Sequence, residues 1–431
     1  MKDFIIKCGM LINGTGEPPM KNVEILIKNG KIAKVEAASN KSENRVNVID
    51  ASKMTVLPGL IDAHKHITNC GGSGIGVGLD IYQMKENINQ MYQGGVTSVL
   101  DLGSPYFVRH IPKLPINKPK IFYAISIITC RNGYPAEYMN HKFYKLGAVK
   151  ECDNEYEIRK TVEKLYRLGV SCIKTAVVSR TFDGKPQVCW SDNQLQILTD
   201  EAHSHGLKVC AHITYSCDYA QAIRCGIDSI HHAAFDGMID DRVLEEMVDR
   251  RITFVPTLSL ADLMVTGLKE KWIYDPLYQP AVNDKIKENM RAFTNAYHTG
   301  KDDMPVGDLF IKVPRHEFNM IPKIQLENVK RFLKLGGKVA LGTDSALGFS
   351  LHSTPIREIE LLIEAGLSNV EAIKASTLTA ASIFGKEGNI GSVEVGKFAD
   401  LLIVDGDVST NILALNNIKM VYINGKLVYQ N

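Results

Sequence analysis

One unit recurs along the middle of the chain and constrains its fold more than any other feature. A helical pattern ends in glycine, a short apolar run follows, and a polar or titratable residue stands at the run's far end. The stretch 82–95 leads into VTSVLDLG. The stretch 154–169, with Ile158, Val162, Leu165 and Leu168 on one face, leads into VSCIKTAVV, and Ser191 is the expected N-cap of a helix reaching Gly206, before LKVCAHI. Three more units end in IDSIHH, ITFVPTL (a strand expected to run to about Leu258) and KVALGTD. Adding VLPGLIDAHKH and the run IFYAISII gives eight strands. Strands alternating with helices pack as parallel β/α units, so the count predicts an α/β fold, a (β/α)8 TIM-type barrel.

The two ends read differently. Residues 1–57 carry short β runs with Asn29-Gly30 as a tight hairpin, and 388–431 repeat the pattern with Asn424-Gly425 as a second one. They predict one small β-sandwich domain built from both ends, flanking a barrel over 58–387. After the seventh strand, 259–323 is too long for an ordinary βα connection and is expected to form a lid or specificity insertion, since such loops emerge at the catalytic mouth of a barrel.

The barrel register brings His64, His66, Lys174, His212, His232 and Asp344 to that mouth. His64 and His66 stand two apart at a strand end, so both imidazoles can reach one point. Taken alone, the pair fits two surface histidines equally well. Joint placement at equivalent strand ends favours a metal site, with zinc the first choice for imidazole and carboxylate ligands. Lys174 is open to two readings: a lysine reaching out to solvent, or a desolvated amine that reacts with carbon dioxide to give a bridging carbamate. His203 and His205, near a helix C-terminus, fit a capping role. Asp62 and Asp101 are candidates to support the site, Tyr215 and His352 could meet substrate, and GGSGIGVG, residues 71–78, reads as a loop beside it.

Charge narrows the partners. The formal net charge is +2, from 50 basic and 48 acidic side chains, which supplies no field for nucleic acid or an anionic membrane and leaves a small molecule as the expected partner. The nine cysteines show no CxxC pair and suit a reducing compartment. With no signal-like or membrane-spanning run near the start, a cytoplasmic location is expected, and a homo-oligomer is compatible with the sequence.

The pieces LPGLIDAHKH, GVTSVLDLG, GVSCIKTAVVS, AHSHGLKVCAH, GIDSIHH, VPTL, LGTDS, STLTAASIFG and GSVEVGKFADLLIVDGD together resemble the amidohydrolase superfamily over nearly the whole chain. They look most like its Xaa-Pro dipeptidase and imidazolonepropionase-related branch. The resemblance implies two divalent ions, with His64, His66 and Asp344 at the first, His212 and His232 at the second, and carboxylated Lys174 between them, its carboxyl group drawn from carbon dioxide or bicarbonate. It further implies attack by a metal-bound hydroxide on a C–N bond of a dipeptide or N-acyl amino acid, with Asp344 moving the proton. Where His231 stands, the family usually has glutamate. A cyclic-amide hydrolase, a heterocycle deaminase and a non-catalytic scaffold are the rival readings. A deaminase of this superfamily usually lacks the bridging lysine, and a scaffold would be expected to have lost ligands that are present here.

Overall fold

The structure is a computed structural model that describes residues 3–38, 47–68, 81–135, 144–181, 184–266, 288, 291, 295, 303–306, 309–312, 319–345 and 355–431. Its centre is the expected barrel of parallel strands. The first strand, Leu60–Lys65, pairs with the second, Val96–Asp101, and the second with Lys120–Tyr123. From Ile127–Cys130 the ladder continues through Ile173–Ala176, Val209–His212, Ser229–His231 and Thr253–Val255 to Lys338–Val339. Backbone bonds from Ala63 N to Leu341 O (3.0 Å) and from Asp344 N to His64 O (2.9 Å) close the ring between the eighth strand's extension and the first.

Two strands differ from their sequence outline. The run IFYAISII is two short strands because Ile125 takes φ 65°, a left-handed conformation that a β-branched residue adopts only under constraint. Before the break Ala124 N still donates to Asp101 O of the second strand, and beyond it Lys174 of the fourth strand pairs with Ile127. The seventh strand stops at Val255 rather than near Leu258. Pro256 has no N–H to give the ladder, Thr257 turns to φ 51°, and a helix, Leu258–Thr266, begins at once.

Ser191 forms a capping box with Gln194 over Asp192–Ser204, and Glu155–Arg167 buries Ile158, Val162 and Leu165. One barrel interior layer of Ile61, Ala63, Leu100, Cys172, Cys210, Val255 and Ala340 packs on Ala380, Ala381, Ile383 and Phe384, which plug that end. A π turn over Ala375–Thr379 precedes this plug, and the Ala375 carbonyl accepts from Leu341 N (3.1 Å) beside the eighth strand.

The second layer is a seven-stranded sheet in the spatial order Lys426–Gln430, Ile418–Ile423, Leu401–Val404, Asn47–Pro58, Phe4–Leu11, Met20–Lys28 and Lys31–Ala37. Strands from both chain ends are therefore neighbours in one sheet. Both hairpins turn as expected, with Asn29 and Gly30, and Asn424 and Gly425, all at positive φ. Most of the insertion lies outside the described residues. Within it, Asp303–Val306 pairs antiparallel with Leu309–Lys312. Among the described residues, no helix is long and apolar enough to cross a membrane.

Candidate metal centre

The mouth of the barrel gathers the histidines through strand geometry. His212 and His231 are the last residues of the fifth and sixth strands, and His232 follows at φ 74°. Asp344 stands beyond the eighth strand at φ 51°. Left-handed backbone at a non-glycine residue costs about 1–3 kcal/mol and persists where the surroundings over-determine it. Here His232 N donates to Val255 O at 2.9 Å and Asp344 N to His64 O, so neighbouring strands hold both turns in place.

His64, His66 and Asp344 each offer a ligand atom within 4.8 Å of the other two, and all three are buried. Asp344 Oδ1 lies 3.1 Å from His66 Nε2 and 3.5 Å from His64 Nε2, while its Oδ2 lies 3.9 Å from His232 Nδ1. Ring centroids continue the chain, His64 to His232 at 4.8 Å and His232 to His212 at 4.2 Å. The fourth strand contributes Lys174, in register with Cys210 two residues before His212. All six residues assigned to the site from the sequence are therefore at one mouth.

Burial works to lower His66, but contact with Asp344 outweighs it and raises that ring, while the remaining groups suit cation ligands. Burial, then the neighbouring positive groups, holds His64, His212 and His231 well below the ordinary imidazole range. Burial brings His232 down to about 3 against the pull of Asp344. Neutral imidazoles offer lone pairs. Burial raises the Asp344 carboxyl, but contact with His66 and the surrounding positive groups outweigh it and keep it below its usual value. Burial also carries the Lys174 amine down to about 8.

The donor set fits metal ions on a further observation. Lys174 Nζ, His212 Nε2, His232 Nε2 and Asp344 Oδ1 are buried with no hydrogen-bond partner among the described residues. His66 Nε2 comes near Asp344 Oδ1 without the alignment of a hydrogen bond, so that oxygen stays unsatisfied. An unpartnered buried polar atom costs about 1–3 kcal/mol, and four in one cluster point to a ligand that all of them share. The opposite nitrogens are held by neighbours. His66 Nδ1 lies 3.2 Å from Gly103 O, and His232 Nδ1 lies 2.8 Å from Thr257 Oγ1. Such partners orient metal-binding rings.

Other expectations fared variously. The Tyr215 hydroxyl donates to Thr181 O at 2.7 Å, and its ring packs edge-on against Phe235. His352 and residues 71–78 lie outside the described residues. His205 is the C-cap of Asp192–Ser204, its backbone N–H donating to Ala202 O at 3.1 Å, and His203 lies in the last turn, while their rings pair through Nε2 with Glu201 and Asp228. Asp62 and Asp101 do support the site. Asp62 accepts from His64 N at 3.2 Å, and Asp101 from Ile67 N at 2.9 Å. Sequence reasoning missed Tyr134, stacked on His212 with centroids 4.4 Å apart, and Thr257, whose hydroxyl in VPTL just past a strand end was a usable signal.

A parallel barrel with imidazoles and a carboxylate converging at its mouth suits a hydrolase able to hold a metal ion. The profile of the Amidohydrolase family matches residues 55–428, and the chain belongs to that family, enzymes that hydrolyse carbon–nitrogen bonds and typically hold divalent metals. Ochratoxinase from Aspergillus niger is 23% identical over 457 aligned residues, covering 94% of this chain and 81% of that protein. A Xaa-Pro dipeptidase solved with methionine in its active site superposes with a TM-score of 0.77 at 22% identity, each chain covered in full. A prolidase bound to N-methylphosphonate-L-proline gives 0.78 at 20% identity, again over both whole chains.

Proposed function

We propose that this chain is a binuclear metal-dependent amidohydrolase that cleaves the C–N bond of a dipeptide or an N-acyl amino acid. The observation that carries the reading is the cluster of four unsatisfied buried atoms on Lys174, His212, His232 and Asp344, beside the convergent His64 and His66. In this reading His64, His66 and Asp344 would hold one ion, His212 and His232 the other, and Lys174, carboxylated by carbon dioxide or bicarbonate, would complete the ligand set. Zinc suits the imidazole and carboxylate ligands. Bound divalent ions would make water acidic enough to ionise near neutral pH and would polarise the substrate carbonyl.

The chain's own groups do the rest. Asp344, held ionised by its neighbours, takes a proton from the attacking water and returns it to the leaving nitrogen. Gly103 O and Thr257 Oγ1 keep His66 and His232 from rotating. Tyr134, flat against His212, and Tyr215 wall the approach. The substrate class is supported by relatives that are an ochratoxinase, a Xaa-Pro dipeptidase and a prolidase.

The test is a panel of dipeptides, N-acyl amino acids and cyclic amides, offered to protein reconstituted with zinc and bicarbonate. Turnover is expected with the first two groups and should vanish on chelation. Turnover confined to cyclic amides, or release of ammonia from a heterocycle, would reject the substrate assignment.

A further inference from the structure

His231 packs edge-on against His64, with ring centroids 4.8 Å apart. Its Nδ1 lies 3.1 Å from His64 Nδ1, and its Nε2 lies 3.1 Å from Ser229 Oγ, with both rings buried. Two imidazole nitrogens at that distance must divide the roles, one donating and the other accepting. The division decides which nitrogen of His64 carries the proton, and hence whether Nε2 turns a lone pair or an N–H toward Asp344.

The other ligand rings are differently served. His66 Nδ1 faces the Gly103 carbonyl, which only accepts, so that nitrogen carries a proton. His64 has no such lock. Its partner is a second imidazole that can donate or accept, and behind that imidazole is a serine hydroxyl that can do either as well.

We infer that His231 is a positioning residue that sets the tautomer of His64 and exchanges its own donor and acceptor roles when a cation arrives. The inference rests on the metal-centre reading above. Without metal, Ser229 O–H donates to His231 Nε2, His231 Nδ1–H donates to His64 Nδ1, and His64 Nε2–H points at Asp344 Oδ1, 3.5 Å away. With metal, His64 Nδ1–H donates to His231 Nδ1, His231 Nε2–H donates to Ser229 Oγ, and His64 Nε2 is free to bind. His231 Nδ1 passes its proton to His64 Nδ1, Ser229 passes its hydroxyl proton to His231 Nε2 and regains one from solvent, and His64 Nε2 releases its proton to solvent as the cation arrives. The pair holds two protons in both states and neither ring changes charge. In neither state is an imidazolium held in the buried pocket.

The experiment reads 15N shifts of the His64 ring in protein labelled at histidine, with and without zinc, together with zinc affinity by chelator competition. Wild type should carry the His64 proton on Nε2 when empty and on Nδ1 when loaded. His231→Glu, whose carboxylate only accepts, should hold it on Nδ1 in both states and bind zinc at least as tightly as wild type. His231→Phe removes the partner and should weaken zinc binding about 10–100-fold, with circular dichroism checking that it folds. A proton that stays on one nitrogen of wild-type His64 in both states overturns the inference. So does unchanged zinc affinity in a folded His231→Phe. Wild type that takes up no zinc at all would instead reject the metal-centre reading, and this inference with it.

Discussion

Lys65 Nζ lies 2.8 Å from Asp62 Oδ2, with both side chains fully buried between the first and eighth strands of the barrel. Asp62 also accepts from Thr343 N (3.1 Å) and Thr343 Oγ1 (2.6 Å), and Lys65 reaches Ser345 Oγ at 3.1 Å. The network bolts the segment bearing His64 and His66 to the segment bearing Asp344. Lys65→Met would leave the carboxylate buried without its cation, a loss of about 3–5 kcal/mol. Denaturant unfolding measures it, and zinc affinity should fall in parallel. A loss under about 1 kcal/mol, near that of a surface pair, would deny the network this role.

Gly342, in the LGTDS segment, is there for space. A Cβ on it would stand 2.3 Å from Val255 Cγ1 and 2.9 Å from His64 Cβ. Gly342→Ala should therefore cost about 1–3 kcal/mol by overpacking and push His64 out of place. Elemental analysis of the purified variant should find less zinc than in wild type, and equal zinc at equal stability would contradict the argument.

Glu358 gives the stability a pH dependence. Its carboxylate accepts from Leu258 N (3.0 Å) and Ser259 N (2.6 Å) at the start of the helix that follows the seventh strand. Burial raises it to about 7 from an ordinary 4.5, the two backbone donors only partly opposing this, and Asp62 adds to the rise. A folded pKa above the unfolded one means that the native state binds the extra proton between the two values. The stabilisation is whole below about pH 4.5 and is lost as pH climbs through about 7, on the order of 3 kcal/mol in all. Glu358→Gln should flatten this part of the curve. Unfolding free energies at pH 5 and pH 8 suffice to check it: a wild-type minus variant difference that is the same at both would exclude the effect.

Lys174 should be carboxylated in the zinc-loaded protein. Protein loaded in 13C-bicarbonate is expected to show a carbamate carbon that Lys174→Ala lacks. The variant should hold fewer ions, and acetate or propionate should restore part of the loss by filling the vacated space. A bare amine in a fully active preparation would contradict the assignment.

How much of this is legible in the sequence depends on whether the relevant physics is local. His64, His66, Lys174, His212, His232 and Asp344 could be found because strand ends in a parallel barrel converge, and strand ends are marked by where apolar runs stop. Lys65 was not legible as a buried residue, since a lysine between two histidines at a strand end looks like a solvent group. Its partners Thr343 and Ser345 are almost 280 positions away. Glu358 was hidden for a related reason: it caps a helix about a hundred residues earlier through backbone N–H groups, which leave no mark in side-chain identity. The seventh strand was overextended because VPTL is apolar enough to continue it, while the missing donor of Pro256 ended it.

The strand Asn47–Pro58 has Phe4–Leu11 on one side and Leu401–Val404 on the other, and it runs through Gly59 directly into the first barrel strand. During synthesis its second neighbour does not exist until the ribosome has made about 340 more residues, roughly 20–70 s at common elongation rates. Through that interval Thr55, Val56, Leu57 and Pro58 present an unpaired apolar edge, the kind of surface that recruits other strands. Production of this protein should therefore be limited less by the stability of the finished fold than by what shelters that edge on the nascent chain.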